Sequence, residues 1–165
     1  MIALGIDPGT ALCGYGIVRA AGDEYELVTC GAIATPAKTP LEQRLLKIHD
    51  DLTALIRKYK PDQAAVEKLF FSRNTTTALA VGHARGVVLL TLAQARLPIG
   101  EYTPNEIKQA LSGYGGADKY QMQQMVKLLL RLDAVPQPDD AADAVAIAIC
   151  HLQGARLREL IDSQS

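Results

Sequence analysis

The sequence has no surplus of charge of either sign: 17 basic and 18 acidic side chains give a formal charge of −1. At face value that balance argues against a polyanionic partner, because nucleic-acid-binding domains usually carry a basic excess. Cysteine is scarce. Cys13, Cys30 and Cys150 are an odd number, widely spaced and without a C-x-x-C pair, which suits buried thiols in a reducing compartment better than a disulfide framework or a zinc site. The opening MIALGID lacks a basic leader, and Asp7 cuts its apolar run short, so it does not read as a signal peptide. No stretch approaches the roughly 20 apolar residues of a membrane span. These absences predict a soluble cytoplasmic protein with no membrane partner. Internal repeats, low-complexity blocks and helicase or Walker motifs are also missing, and 165 residues leave no room for two full-size lobes.

What is present is an ordinary globular composition, 48% hydrophobic and 21% charged, sufficient for one domain with a real core. The reading places that domain at 1–154, with 155–165 as a polar, frayed tail. Ile2–Asp7, Cys13–Arg19 and Tyr25–Ala34 read as strands, the last two joined by the hairpin signal Ala21-Gly22-Asp23. Thr39-Pro40-Leu41-Glu42 then carries a capping-box pattern, followed by Leu41, Leu45, Ile48, Leu52, Leu55 and Ile56 at helical spacing. Ala64–Val66 reads as a short buried strand running into Glu67, and 76–96 as a long helix with Gly82 and Gly86 four apart for close packing. Pro98–Tyr102 is a fifth strand. Thr103 caps a helix to about Leu111, 112–116 is a flexible loop, and Asp118 caps a helix with Met122, Met125 and Val126 on one face. The last helix starts at Asp139 or Asp140. This β-β-β-α-β-α-β-α-α-α order predicts one mixed five-stranded sheet with helices on both faces, strands 1, 4 and 5 forming a parallel set in its middle.

Four carboxylates stand where a site would be built. Asp7 and Glu67 end the first and fourth strands, at the edge where open α/β sheets bind ligands. Asp140 and Asp143, three apart in the first turn of the last helix, share a face, and the helix dipole there favours anionic carboxylates. Hard oxygen ligands of this kind bind Mg²⁺ or Mn²⁺, and two such ions roughly 3.5–4 Å apart can drive phosphodiester hydrolysis. Taken singly, each residue has a plainer explanation: Asp7 as a turn residue in Asp-Pro-Gly, Glu67 as a solvated strand end, and the Asp139–Asp143 run as helix capping, which accounts for Asp139. Together the four point to a nuclease of the ribonuclease-H-like kind.

The stretches Gly5-Ile6-Asp7-Pro8-Gly9-Thr10, Gly14-Tyr15-Gly16, Glu67-Lys68-Leu69-Phe70, Ala84-Arg85-Gly86, Ile107-Lys108-Gln109, Gly116-Ala117-Asp118-Lys119 and Asp139-Asp140-Ala141-Ala142-Asp143-Ala144 resemble the RuvC family of bacterial Holliday-junction resolvases, up to about Leu152. The resemblance implies a ribonuclease-H-like α/β fold and a homodimer. It implies a crossover junction endodeoxyribonuclease that resolves four-way DNA junctions by symmetric paired nicking, in recombination and repair. It further implies Mg²⁺, two ions per subunit with Mn²⁺ as a substitute, and RuvA and RuvB as branch-migration partners. On the matched positions it marks Asp7, Glu67, Asp140 and Asp143 as catalytic metal ligands, with Asp139 left as either a competing ligand or a helix cap. Lys108 and Lys119 match family lysines implied in DNA binding and cleavage, where an ammonium offsets charge building on the phosphate; solvated helix-end lysines are the plainer alternative. Phe70 matches a family aromatic that stacks on a base, whereas Phe71 reads as core. Lys68, Arg73 and Asn74 are expected phosphate contacts.

Two readings from other classes compete. Gly5–Thr10 also resembles the first phosphate loop of actin-like sugar kinases and chaperone ATPases, which need a second lobe. A non-catalytic junction-binding module is the other, against which the complete acid set argues. His49, His83 and His151 pair with nothing in sequence and read as structural. The charge balance then looks different: without the four carboxylates the formal charge of −1 becomes +3, an acidic pit within a mildly basic surround. Salt-sensitive DNA binding is expected of it.

Overall fold

Alternation along the strands decides which residues meet which helix. In the computed structural model, which describes residues 1–68 and 75–162, five strands form one sheet in the order β3-β2-β1-β4-β5. They are β1 (Ile2–Asp7), β2 (Leu12–Ala21), β3 (Glu24–Ala34), β4 (Gln63–Glu67) and β5 (Ile99–Tyr102). β1 pairs antiparallel with β2 and parallel with β4, and β4 pairs parallel with β5. This is the ribonuclease-H-like arrangement. The parallel set is 1-4-5 as expected, but it fills one flank of the sheet, with β5 at the edge rather than in the middle. The helices are α1 (Leu41–Tyr59), α2 (Thr75–Gln94), α3 (Pro104–Ser112), α4 (Lys119–Leu129) and α5 (Asp139–Asp162). Helix α5 continues through Gly154, where the sequence sets the domain's end, and leaves Leu157, Leu160 and Ile161 exposed.

One sheet face buries Leu4, Ile6, Ile17, Ala64 and Val66 against Ile48 and Leu52 of α1 and Ala84, Val88 and Leu92 of α2. The other carries Ala3, Val18 and Ala65 under α5, with Ile107 and Leu111 of α3 and Val126 of α4 packed beyond it. Helix α5 therefore lies between the sheet and an outer helical layer, and it is buried nearly all round from Ala141 to Leu152. Its alanines, at 141, 142, 144, 146 and 148, make that burial sterically possible.

The seat for α5 is a patch of glycines. Gly5 pairs with Gly16 across β1 and β2, and Gly14 lies opposite Asp7. A methyl group on Gly5 would come within 2.1 Å of the Ala144 carbonyl oxygen, and one on Gly14 within 2.1 Å of that of Asp140. At Gly16 it would meet Val145 Cγ2 at 2.5 Å. The helix backbone rests directly on the strand backbone, with no side chain between.

Several local readings need correction. Pro40, not Thr39, stands at the N-cap of α1, with no side-chain cap bond, and Leu41 is exposed. Among the described residues nothing lies within 4 Å of a methyl group placed on Gly82 or Gly86, so the close packing expected of them is not found there. Although no run of apolar residues is long, Thr77–Gln94 reaches a mean hydropathy of 1.2 and passes for a membrane span by length and composition. Its Ala84, Val88 and Leu92 face the core, whereas Leu79 and Leu90 are 63% and 57% exposed. The capping boxes at Thr103–Glu106 and Asp118–Gln121 are both formed. The cysteines are free, Cys13 and Cys150 buried.

Gly5→Ala and Gly14→Ala should each lower the unfolding free energy by roughly 1–3 kcal/mol, the usual cost of forcing extra atoms into a packed contact. Gly154→Ala, whose methyl would find only ordinary contacts at 3.7 and 3.8 Å, should raise it by about 0.5–1 kcal/mol through helix propensity. Urea denaturation of the three variants checks both signs.

Candidate active site

Residues of odd number on β1 and β4 share the α5 face, so Asp7 and Glu67 follow Ala3 and Ala65 onto it. The parallel register ends at Ile6↔Val66, which makes the two acids neighbours at the carboxyl edge of adjacent strands. The seating of α5 on Gly14 brings the first turn of that helix over Asp7. Asp7, Glu67 and Asp143 then line one cavity of about 240 Å³ together with Lys108 of α3 and Lys119 of α4. Pro104, Ile107, Met122, Ala146 and Ile147 complete its wall. A roomier hollow of about 410 Å³ between α1 and α2, lined by His49, Arg57 and Thr91 among others, contains no carboxylate. Size alone does not pick out the chemistry.

The acids act on one another. The Asp7 carboxyl is pushed up to about 7, first by burial, then by the negative charges of Glu67, Asp143 and Asp140, with Lys119 opposing. Glu67 is also raised, by burial and then Asp143, against the pull of Lys108. Asp143 rises through burial, against Lys119. Asp140 is half-buried and outside the cavity wall, and it reaches the site through its charge on Asp7. Asp139 does not enter. Helix α5 starts at Asp139, and the Pro138 carbonyl takes the amides of Ala141 and Ala142. Both Asp139 oxygens go instead to α4: Lys119 Nζ lies 3.0 Å from one, and Gln123 Nε2 donates to the other at 3.1 Å. Neither capping nor a place in the cavity describes this residue.

Among the described residues no group of three or more His, Cys, Asp or Glu side chains is already disposed to hold a metal ion. The positive charge nearest Asp143 is the Lys119 ammonium, at 3.6 Å. The donor set nonetheless fits a hard divalent cation. It consists of carboxylates alone, burial and neighbouring negative charge raise Asp7, Glu67 and Asp143, and a cation already stands among them as a side chain. Asp7, Glu67, Asp143 and Asp140 are the residues that would serve.

Of the expected DNA contacts, Lys108 and Lys119 line the cavity. Lys68 is exposed, and its charge is felt by Glu106 rather than by the acids. Phe70, Phe71, Arg73 and Asn74 lie outside the described residues. The 112–116 loop, read as flexible, is tied down: Ser112 Oγ lies 2.7 Å from the Lys108 carbonyl and accepts from the Tyr114 amide at 3.2 Å. Three residues of interest escaped the sequence reading. Tyr114 and Tyr120, 64% and 68% exposed, neighbour the two lysines in sequence, and this interleaving of basic and aromatic residues was the available signal. Arg85 donates to the Glu67 carbonyl at 3.3 Å and pairs with Glu101, bracing the ends of β4 and β5; no spacing rule reveals it. His151, expected to be structural, is buried with Tyr102 and Gln63 on its two ring nitrogens.

Residues 3–151 match the family model described as crossover junction endodeoxyribonuclease RuvC. A protein of that name from Chloroflexus aggregans is 60% identical over 151 residues, 92% of each chain. Among solved structures, RuvC of Thermus thermophilus is 36% identical with a TM-score of 0.89, covering 95% of this chain and 96% of that one. The same protein in complex with a Holliday junction substrate gives 35% identity and a TM-score of 0.90 over the same shares. The fold, the acid-lined cavity and these matches agree: the chain belongs to the RuvC family of crossover junction endodeoxyribonucleases.

Proposed function

We propose that this chain is a metal-dependent endonuclease that resolves four-way DNA junctions in recombination and repair, by paired nicks in two strands of like polarity. The observation that carries the reading is the cavity in which Asp7, Glu67 and Asp143 face Lys108 and Lys119. Family membership makes it a metal-dependent nuclease. The finer assignment is Mg²⁺, two ions per subunit, held by Asp7, Glu67, Asp140 and Asp143, with Mn²⁺ able to replace it. Bound there, the ions would supply charge stabilisation to the attacking and leaving oxygens.

The chain's own residues do the rest. Asp7 and Glu67, fixed by paired strands, form the rigid half of the acid set, and α5 brings Asp143 over them. Lys108 and Lys119 present ammonium groups where a phosphodiester entering the cavity gathers negative charge. None of the described residues lining the cavity is Ser, Thr, Tyr or Cys, which supports water as the nucleophile and a reaction without a covalent intermediate. Tyr114 and Tyr120 offer exposed rings beside the lysines, suited to bases or sugars. Lys68, and Phe70, Arg73 and Asn74 in the same stretch of sequence, extend the contact surface in this reading.

One cavity per chain makes one nick, so paired nicks need two copies related by a two-fold axis. The exposed face of α2, with Leu79, Gly82, Gly86 and Leu90 at helical spacing, supports a homodimer formed through that helix, the glycines allowing close approach. RuvA and RuvB belong to the proposal as branch-migration partners, a motor being something this sequence lacks.

On a synthetic four-way junction with Mg²⁺, the protein should place symmetric nicks. Asp7→Asn should slow them by on the order of 10³-fold, about 4 kcal/mol of transition-state stabilisation, while gel-shift affinity for the junction stays near wild type. Cutting by Asp7→Asn at the wild-type rate, or without any divalent ion, would overturn the reading. Asp7 also predicts a stability slope. Its carboxyl ionises near 3.8 in the unfolded chain and near 7 in the fold, so the folded state binds more protons between those values. The ion-free protein should therefore lose stability as pH rises from about 4 to about 7 and level off above. Urea midpoints in EDTA across that range should fall for wild type and stay flatter for Asp7→Asn. For the dimer, Leu79→Glu with Leu90→Glu should yield a folded monomer in sedimentation equilibrium. A dimer that persists would place the two-fold contact elsewhere.

A further inference from the structure

Asp139 is the acid that the cavity does not use, and its surroundings are more specific than those of a solvated carboxylate. It is the first residue of α5, and Lys119 is the first residue of α4. Lys119 Nζ stands 3.0 Å from Asp139 Oδ2 and 3.6 Å from Asp143 Oδ2. Gln123, one turn along α4 from Lys119, donates to Asp139 Oδ1 at 3.1 Å. The ammonium is thus shared between a carboxylate of the cavity and one outside it, and the nearer partner is the outer one. Hydrogen bonding from Lys119 holds the Asp139 carboxyl below its usual range, whereas burial holds that of Asp143 above it.

This sharing has a consequence for cation binding. Asp143 serves a divalent ion best with the ammonium drawn back, because two cations on one carboxylate repel. With Asp139 in place, the released ammonium keeps a full carboxylate partner at the cavity rim. Without Asp139, the carboxylates that still act on Lys119 among the described residues are Asp143 and Asp140, both of the acid set, and the ammonium becomes a tethered cation competing for the metal ligands. Stability is not the reason for the contact, since Lys119 and Asp139 are 55% and 54% exposed, and exposed pairs of this kind add little.

We infer that Asp139 is a positioning residue that retains Lys119 at the rim of the cavity, freeing Asp143 for a divalent ion and leaving the ammonium directed at the substrate phosphate. The inference rests on the metal-dependent nuclease reading above.

The test is Mn²⁺ binding to the whole protein without DNA, followed by the electron paramagnetic resonance signal of free Mn²⁺. Wild type, Asp139→Asn, Asp139→Glu, Lys119→Met and the double variant Asp139→Asn/Lys119→Met are compared. Asp139→Asn should weaken Mn²⁺ binding about threefold to tenfold, a coupling ordinary for charged residues in contact, and Asp139→Glu should restore most of it. Lys119→Met should tighten binding, and in that background Asp139→Asn should have no further effect. An equal loss from Asp139→Asn in both backgrounds would overturn the anchor, since it would mean that Asp139 acts through its own field or as a ligand. No loss in the wild-type background would overturn it equally. If wild type binds Mn²⁺ and cuts junctions while the coupling is zero, the anchor alone falls. If wild type binds no Mn²⁺, the metal reading falls and the anchor with it. Urea midpoints near wild type show that the variants fold.

Discussion

The contact between the α5 backbone and the glycines of β1 and β2 is the constraint from which the site follows. Gly5, Gly14 and Gly16 offer no side chain, so the helix descends until Ala144, Asp140 and Val145 meet the sheet itself. An ordinary side chain at any of the three would lift the helix by the thickness of a methyl group or more. Asp143 would rise with it, while Asp7 and Glu67 stayed on their strands. The distance between the two halves of the acid set is therefore written in glycine rather than in the acids. The alanines of α5 serve the same end from the helix side, and α3 and α4 close over its outer face.

Holding like charges this close makes the resting protein electrostatically strained. Burial is the largest influence on Asp7, Glu67 and Asp143, and mutual repulsion adds to it for each. Two features offset the strain without removing it. The N-terminal end of α5 favours anions in its first turn, where Asp139 and Asp140 lie, with Asp143 just beyond. Lys108 and Lys119 contribute positive charge from the neighbouring helices α3 and α4. A cluster that needs outside charge to be comfortable is poised to bind a cation, and its instability when empty is the reverse side of that affinity.

Much of this was legible in the sequence because it is local. Alternation placed the strands, 3.6-residue spacing placed α1, and the capping residues Thr103 and Asp118 placed the starts of α3 and α4 to the residue. The meeting of Asp7, Glu67 and Asp143 in one cavity was legible because each sits at a nameable point, a strand end or the start of the last helix, whereas Asp140 stands outside that wall. Pairings between distant segments were not. Nothing near Thr39 says that Pro40 will take the N-cap, and nothing near Ser112 says that its hydroxyl will tie the following loop to Lys108. Arg85 reaches the end of β4 from α2, a relation that only the folded chain creates. The exposed face of α2 was hidden for the opposite reason. Gly82 and Gly86 signalled close packing, but among the described residues nothing lies within 4 Å of a methyl group placed on either. For Asp139, local rules supplied a cap where tertiary structure supplies a lysine and a glutamine.

The acids and the lysines are carried by different layers, and that division shapes how the site tolerates change. Asp7 and Glu67 belong to the sheet, and Asp140 and Asp143 to the helix seated on it. Lys108 and Lys119 belong to α3 and α4, joined to the rest through Ile107, Leu111 and Val126 against α5 and by the Asp139 contact. The acid set depends on backbone packed against backbone, which has no soft coordinate. The lysines depend on side-chain packing and exposed ion pairs, which yield more easily. Positive charge can thus adjust to an incoming phosphate while the carboxylates keep their spacing. Such a division suits an enzyme that must present a fixed set of acids to a flexible, branched polyanion.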